Sequence, residues 1–153
     1  MRGALVAAVI RPATAADRPA VRELQKLLDH RAPALLEAAF DTEVRGIGGD
    51  AFVADDGGVV GYALAVPGAR DADPSVVYLA ELAVAPGVRR EGYGRRLVAA
   101  LADGYDHDQL RVTVAADDDG ARAFYTAAGF WELADLPDRF DGADGVLLVR
   151  DLS

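Results

Sequence analysis

The chain has 153 residues, 52% hydrophobic and 27% charged, which predicts one globular domain spanning residues 1–153 with a core of its own. Its formal net charge of −9 argues against a general nucleic-acid-binding protein, because a phosphate backbone would be repelled. The absence of cysteine excludes disulfides, thiolate catalysis and zinc sites built on sulfur, and with only His30 and His107 as imidazoles we expect no metal cofactor.

The N-terminal segment predicts a strand rather than a targeting signal. Its apolar run is GALVAAVI, which is short for a signal peptide and ends at Arg11. Residues 4–11 are good strand formers, and we assign them to the first strand. No run in the chain reaches the roughly 18 apolar residues that a membrane-spanning helix needs. We therefore expect a cytoplasmic protein that does not associate with membranes.

Two helices are predicted next. Thr14-Ala-Ala-Asp17 matches a capping box, with Thr14 as the N-cap and Asp17 returning to the backbone. Apolar residues then recur at helical spacing and predict an amphipathic helix to about His30; they are Val21, Leu24, Leu27 and Leu28. Pro33 begins a second, alanine-rich helix. Its apolar side carries Leu35, Leu36 and Phe40.

Three strands are predicted in the middle of the chain. The glycine-rich segment 45–50 predicts a loop that borders a substrate site. Residues 51–54 and 59–66 predict a hairpin, because the Asp-Asp-Gly-Gly sequence between them is a turn signal. A polar loop follows, and a further strand is predicted at residues 76–84.

Helices and strands alternate in the second half. A helix is predicted at residues 92–103, with Leu97, Val98 and Leu101 buried. The next strand is marked by alternating apolar residues, Leu110, Val112 and Val114. One of three aspartates, Asp117 to Asp119, is expected to cap a helix at residues 120–128, with Gly129 as its C′ residue.

Two last strands, 130–133 and 145–152, are joined by a loop rich in proline and aspartate. The element order is thus β-α-α-β-β-β-α-β-α-β-β. This order predicts an α/β fold with a mixed sheet and helices on both faces.

The turn before the third helix, residues 89–94 (RREGYG), predicts a phosphate site. A strand that leads through glycines into a helix presents unpaired N–H groups and the positive end of the helix dipole. Four arginines surround this turn: Arg89, Arg90, Arg95 and Arg96. A Walker loop is excluded because Lys-Ser/Thr is missing after the last glycine. A dinucleotide fingerprint is excluded because Leu97 replaces its third small residue and the next strand lacks the acidic residue.

The turn fits the pattern R/Q-x-x-G-x-G/A, filled by Arg89, Gly92 and Gly94. It occurs together with IRPATAAD at residues 10–17, ELAVAP at 81–86 and ARAFYTAAGF at 121–130. In this order and spacing the segments resemble the GNAT superfamily of N-acetyltransferases. The resemblance covers nearly the whole chain. It implies the GNAT acyl-CoA N-acyltransferase fold and acetyl-CoA as cosubstrate.

The resemblance also implies which residues bind the cofactor. The backbone of Leu82, Ala83 and Val84 would pair with the pantetheine arm. The pyrophosphate would lie on the N–H groups of the turn, formed by Arg89, Arg90, Glu91, Gly92, Tyr93, Gly94 and Arg95. Asp118 stands where the superfamily commonly has Asn; it can cap the helix equally well, but an ionised Asp cannot donate a hydrogen bond to the cofactor.

For catalysis the resemblance points to Tyr125 as the general acid that protonates the leaving thiolate. Glu81, a carboxylate inside an apolar strand, is the candidate general base, with Tyr78 or a chain of waters as alternatives. The implied reaction is direct attack of a primary amine in a ternary complex. The acceptor stays open between a small-molecule amine and a protein or peptide amine, and a homodimer is implied by the resemblance alone. The alternative function is a non-catalytic module that binds acyl-CoA or a protein partner.

Overall fold

The protein is described by a computed structural model covering residues 8–40, 50–68 and 74–152. Within these residues the chain forms one seven-stranded mixed sheet. The strands are β1 (Val9–Pro12), β2 (Asp50–Asp55), β3 (Val59–Pro67), β4 (Val76–Val84), β5 (Gln109–Ala115), β6 (Trp131–Phe140) and β7 (Ala143–Asp151). Their order across the sheet is β1-β2-β3-β4-β5-β7-β6, and β4 and β5 are the parallel pair.

The described helices are α1 (Arg18–Gln25), α2 (Pro33–Phe40), α3 (Tyr93–Gly104) and α4 (Asp119–Ala127), with short 3₁₀ turns at Ala15–Asp17 and Pro86–Val88. This element order confirms the predicted one, and with it the mixed α/β architecture. None of the helices in the described ranges is long and apolar enough to cross a membrane.

Two hydrophobic clusters lie on opposite faces of the sheet. Successive residues of a strand point to opposite faces, and Tyr62 and Leu64 of β3 belong to one cluster while Ala63 and Ala65 belong to the other. The first cluster packs against α1 and α2, and the second against α3 and α4. The predicted α3 core residues are fully buried in the second cluster: Leu97, Val98 and Leu101. The sheet is therefore covered on both sides, as predicted.

Several local predictions are confirmed. The backbone N–H of Thr14 donates to Oδ2 of Asp17 at 2.7 Å, which is the capping-box contact. Asp118 is the aspartate that caps α4, and Gly129 has the left-handed φ of 96° that its C′ position requires. The strand predicted at residues 76–84 has the observed bounds of β4.

The prediction that the first helix runs to His30 is wrong. Helix α1 ends at Gln25, and Leu27 is 41% exposed instead of buried. The N–H groups of residues 26–28 each donate to the carbonyl three residues back, at Glu23, Leu24 and Gln25, which tightens the last turn. The chain then turns towards the sheet, where the N–H of Ala32 donates to the Glu81 carboxylate.

The loop predicted between the last two strands is also wrong, because β6 continues to Phe140. This strand lies at the edge of the sheet and is exposed along nearly its whole length. An edge strand tolerates a proline and irregular pairing, and here Pro137 and the left-handed Asp138 lie where the register shifts. The turn signals in the sequence therefore mark an irregular strand.

Residues 4–7 of the predicted first strand and residues 45–49 of the predicted glycine loop lie outside the described residues.

Strands β4 and β5 separate halfway along their length. They pair from Val76 and Gln109 to Leu79 and Val112, and no further. Strand β4 still pairs with β3 as far as Val84, but with a bulge, because Leu64 faces Glu81 while Ala65 faces Leu79. The end of β4 is therefore left without a neighbouring strand on its β5 side. The candidate active site lies at this gap between β4 and β5.

Candidate active site

The first cleft lies beside the unpaired end of β4 and has a volume of about 660 Å³. Nine of the eleven predicted cofactor residues line it. The end of β4 supplies Leu82, Ala83 and Val84, and the turn before α3 supplies Arg89, Arg90, Gly92, Tyr93, Gly94 and Arg95. The predicted strand end and the predicted turn thus form one site. Exposed backbone on one wall and a helix N-terminus on the other suit an extended ligand with an anionic end.

Glycine is required at two positions of this turn. Gly92, the N-cap of α3, has a left-handed φ of 84°. At Gly94 an added Cβ would lie 3.1 Å from Cζ of Phe124. Helix α3 therefore packs closely on the aromatic ring of α4. Since the first N–H groups of a helix have no partner within it, the first turn of α3 presents donors to the cleft.

The arginines of the turn divide into two groups. Arg89, Arg90 and Arg95 line the first cleft, whereas the guanidinium of Arg96 donates to the carbonyl of Ala8 at 2.7 Å. The Arg89 Nε donates to the carbonyl of Val84 at 3.1 Å and so ties the turn to the end of β4. The cleft therefore carries a local positive charge in a protein of net charge −9.

The other two predicted cofactor residues do not line this cleft. Glu91 is exposed on the turn. Asp118 lies on the neighbouring cavity, and its Oδ1 accepts a 3.0 Å hydrogen bond from the N–H of Ala121 as the cap of α4.

The second cavity opens where β4 and β5 separate and has a volume of about 750 Å³. Five residues line both spaces: Leu27, Leu28, Leu82, Ala121 and Tyr125. Glu81 lines the second cavity only, whereas Tyr78 lines neither. The two predicted catalytic side chains therefore both line the second cavity, and Tyr125 lies at its boundary with the first cleft.

The Tyr125 side chain is buried, whereas its hydroxyl oxygen is open to the two spaces that the residue lines. The side chain is 6% exposed and packs edge-to-face on Phe124 and Phe130, with ring centroids 5.0 Å and 5.2 Å away. In the part of the chain that the structure describes, no hydrogen bond reaches this hydroxyl. Burial, and then the negative charge of Asp118, raise the pKa of Tyr125 well above its ordinary value. The phenol is thus a protonated donor at neutral pH that still lacks an acceptor.

Glu81 is buried like Tyr125, but in contrast to the Tyr125 hydroxyl its carboxylate is hydrogen-bonded at both oxygens. It is 4% exposed, and its Oε1 accepts from the Tyr62 hydroxyl at 2.9 Å and from Nε2 of Gln25 at 3.0 Å. Its Oε2 accepts from the same Nε2 at 3.1 Å and from the N–H of Ala32 at 2.6 Å. A carboxylate has about four acceptor positions, and all are used. Burial first, and then the charge of Glu81, raise the pKa of Tyr62 far above its ordinary value, so that Tyr62 remains a donor.

Sequence reasoning did not find the partners of these two residues. Gln25 had a signal, because it lies four residues after Val21 on the apolar face of α1, where a polar side chain needs a buried partner. Leu27 and Leu28 were predicted only as part of the apolar face of the first helix, whereas they line both spaces. Tyr62 carried no signal, because an apolar strand accommodates a tyrosine without any special role.

Comparison with known proteins identifies the family of the chain. The sequence model of the acetyltransferase (GNAT) family matches residues 15–130. A mycothiol acetyltransferase from Geodermatophilus obscurus is 35% identical over 129 residues, which are 83% of this chain and 37% of that protein. The chain thus spans little more than a third of that relative.

Solved structures share the fold. The ribosomal-protein-S18-alanine N-acetyltransferase from Escherichia coli superposes with a TM-score of 0.76 at 20% identity, covering 96% of this chain and 95% of that chain. The yncA protein from Salmonella typhimurium, solved with its cofactor acetyl-CoA, gives a TM-score of 0.76 at 21% identity, with the same coverage of 96% and 95%. Because the family match spans most of the chain, the protein belongs to the acetyltransferase (GNAT) family, as its motifs predicted.

Proposed function

We propose that the protein is an acetyl-CoA-dependent N-acetyltransferase that transfers an acetyl group to a primary amine by direct attack in a ternary complex. The observation that carries the proposal is the Tyr125 hydroxyl, which belongs to a buried side chain, has no acceptor among the described residues and lies at the boundary of the first cleft and the second cavity. A hydroxyl that has no protein acceptor and opens onto a cleft is suited to an acceptor that arrives with the substrate. The acetyl-CoA in the yncA structure from Salmonella typhimurium supports the choice of cosubstrate.

The first cleft would hold coenzyme A. Its pyrophosphate fits the N–H groups at the start of α3, where glycines at positions 92 and 94 allow close approach and Arg90 and Arg95 add charge-assisted hydrogen bonds. The pantetheine arm fits the backbone of Leu82–Val84, which has no strand beside it on the β5 side. The thioester end would then lie towards Tyr125.

Acetyl transfer forms one bond and breaks another. The amine nitrogen bonds to the carbonyl carbon of the thioester and the carbon–sulfur bond breaks. The nitrogen releases a proton to give the acetamide, and coenzyme A leaves as a thiolate that takes up a proton from solvent. Tyr125 donates a hydrogen bond to the sulfur as negative charge develops there. Because its raised pKa makes the phenol a weaker acid than a thiol, this hydrogen bond contributes more than complete proton transfer does.

The proton that the amine releases needs an acceptor, and Glu81 is the carboxylate that faces the second cavity. Direct transfer requires one of its donors to move. The Gln25 amide, a side chain that bonds both oxygens, is the donor that a water can replace, whereas the Ala32 N–H is fixed by the backbone. We therefore place a water between the amine and Glu81.

The saturated Glu81 carboxylate also favours a second candidate, a module that binds acyl-CoA without turnover. Thiol release from acetyl-CoA, measured with a panel of primary amines, separates the two functions when combined with calorimetric titration of acetyl-CoA. We expect binding and amine-dependent thiol release. Binding with no thiol release above the rate of spontaneous hydrolysis would establish the module instead.

A further inference from the structure

The first cleft and the second cavity differ in charge. The first is lined by Arg89, Arg90 and Arg95 and, in the described part of the chain, by no aspartate or glutamate. The second is lined by four carboxylates, Asp29, Glu81, Asp117 and Asp118, and by the imidazole of His30, and none of its described lining residues is lysine or arginine. Neighbouring spaces of opposite charge suit two ligands of opposite charge.

The four carboxylates of the second cavity are not neutralised by the protein. Some acids elsewhere are paired, as Asp17 with Arg11 and Glu132 with Arg122, at 2.7 Å and 2.9 Å. Over the described ranges no ion pair reaches any of the four. Asp118 accepts only the N–H that caps α4, and Glu81 accepts only from uncharged donors. Their charges therefore remain available to a cation in the cavity.

Burial divides the four carboxylates between two ends of the cavity. Glu81 is 4% exposed and lies at the inner end, whereas Asp29, Asp117 and Asp118 are exposed at the rim. The reacting end is marked independently by Tyr125, which is 6% exposed and whose hydroxyl has no partner among the described residues. An amine that reacts beside Tyr125 would extend past the rim carboxylates.

Resting on the proposed function, we infer that the acceptor is an amine that carries at least one further positive charge, held by the rim carboxylates Asp29 and Asp117 while the reacting amine lies at Glu81 and Tyr125. The substrate class is thus a diamine or polyamine, or another molecule whose second cationic group reaches the rim carboxylates while its amine lies at the inner end. A singly charged amine uses only the inner end of the cavity.

Matched acceptors test this inference. We compare 1,4-diaminobutane with 4-aminobutan-1-ol and 1,6-diaminohexane with 6-aminohexan-1-ol, which differ only in the charge of the far end. At low salt kcat/KM for at least one diamine should exceed that for its amino alcohol by about fivefold or more, the effect of one partly screened charge contact. The preference should fall as NaCl is added, because salt screens exposed charges. Equal values for both pairs would overturn the inference.

Charge-neutralising variants locate the effect. Asp29→Asn and Asp117→Asn should each reduce the diamine preference, whereas Asp103→Asn, the same change at an exposed residue near the far end of α3, should leave it unchanged. If neither rim variant changes the preference, or if Asp103→Asn reduces it equally, a general effect of net charge explains it and the inference is wrong.

A binding measurement separates the inference from the proposed function. Calorimetric titration of each diamine and amino alcohol into the protein saturated with coenzyme A involves no acetyl group and no turnover. Tighter diamine binding without any thiol release from acetyl-CoA would support the cationic site and contradict the transferase. Thiol release with all four amines and no binding preference would support the transferase and contradict the cationic site.

Discussion

The hydroxyl of Tyr62 donates a 2.9 Å hydrogen bond to Oε1 of Glu81, and both side chains are buried in the sheet. The same carboxylate accepts from Gln25 at the end of α1 and from the N–H of Ala32 just before α2. Glu81 therefore fixes the segment between the two helices onto β4 while it lines the second cavity. The structural role of Glu81 and its proposed catalytic role can be separated by substitutions.

Glu81→Gln should lower kcat about 100-fold, the usual scale for loss of a general base, and leave the Kd of coenzyme A within about twofold. The Kd should not change because Glu81 does not line the first cleft. The new amide donor would face the donors of Gln25, Tyr62 and Ala32, so the free energy of unfolding should also fall, by about 1–3 kcal/mol. Steady-state kinetics, calorimetry and urea unfolding measure the three quantities.

Tyr62→Phe is the control for that variant. It removes one donor and keeps the charge of Glu81, so it should cost about 1 kcal/mol of stability and change kcat less than about fivefold. If kcat falls as much in Tyr62→Phe as in Glu81→Gln, Glu81 acts only through the position of the helices. The base is then a chain of waters.

Tyr125→Phe should lower kcat by about 100-fold or more and change the free energy of unfolding by less than about 0.5 kcal/mol. Stability should be preserved because the hydroxyl makes no hydrogen bond within the described part of the protein. Tyr105→Phe is the matched control, since its hydroxyl donates to Asp50 at 2.6 Å and lies outside both spaces. It should lose stability and keep kcat. A fully active Tyr125→Phe enzyme would remove this residue from the mechanism.

Gly94→Ala should weaken coenzyme A binding about tenfold, because the new Cβ would lie 3.1 Å from the Phe124 ring and displace a wall of the first cleft. Gly104→Ala makes the same change on the same helix where no atom lies within 4 Å. It should leave the Kd unchanged, and it should stabilise the protein slightly because alanine favours helix. Calorimetric titration of coenzyme A into both variants measures the difference, and equal Kd values would contradict the assigned role of Gly94.

Features that depend on neighbouring residues could be predicted from the sequence. The Thr14 capping box, the Asp118 cap and the glycine turn each depend on a few adjacent side chains, and each is observed. Predicting the surroundings of the candidate site would also have required contacts between distant parts of the chain. The separation of β4 from β5 and the bulge at Ala80 depend on pairing between distant strands, which no local pattern encodes. The four hydrogen bonds of Glu81 join residues 19 to 56 positions apart, so its surroundings could not be predicted.

The apolar pattern of the first helix shows a second reason. Leu27 and Leu28 continue the spacing of Val21 and Leu24, so the helix was predicted to extend through them. In the structure these two residues follow the last residue of α1 and line both the first cleft and the second cavity. Hydrophobic periodicity shows that side chains avoid water, but it does not distinguish a core from a ligand site.

Asp17 should make stability depend on pH at the acid end. Nη1 of Arg11 donates to its Oδ2 at 2.7 Å, and this contact chiefly holds the pKa of Asp17 at about 2, below its ordinary value of 3.8. Because the pKa in the folded state is depressed, the contribution is complete above about pH 4 and is lost as the pH falls towards 2. With solvent screening of the partly exposed Arg11, we expect about 1 kcal/mol. Urea unfolding of wild type and Asp17→Asn should differ by this amount at pH 6, and the difference should shrink as the pH approaches 2, whereas Asp103→Asn should track wild type throughout. A constant difference between wild type and Asp17→Asn at both pH values would show that Asp17 stabilises the protein without its charge.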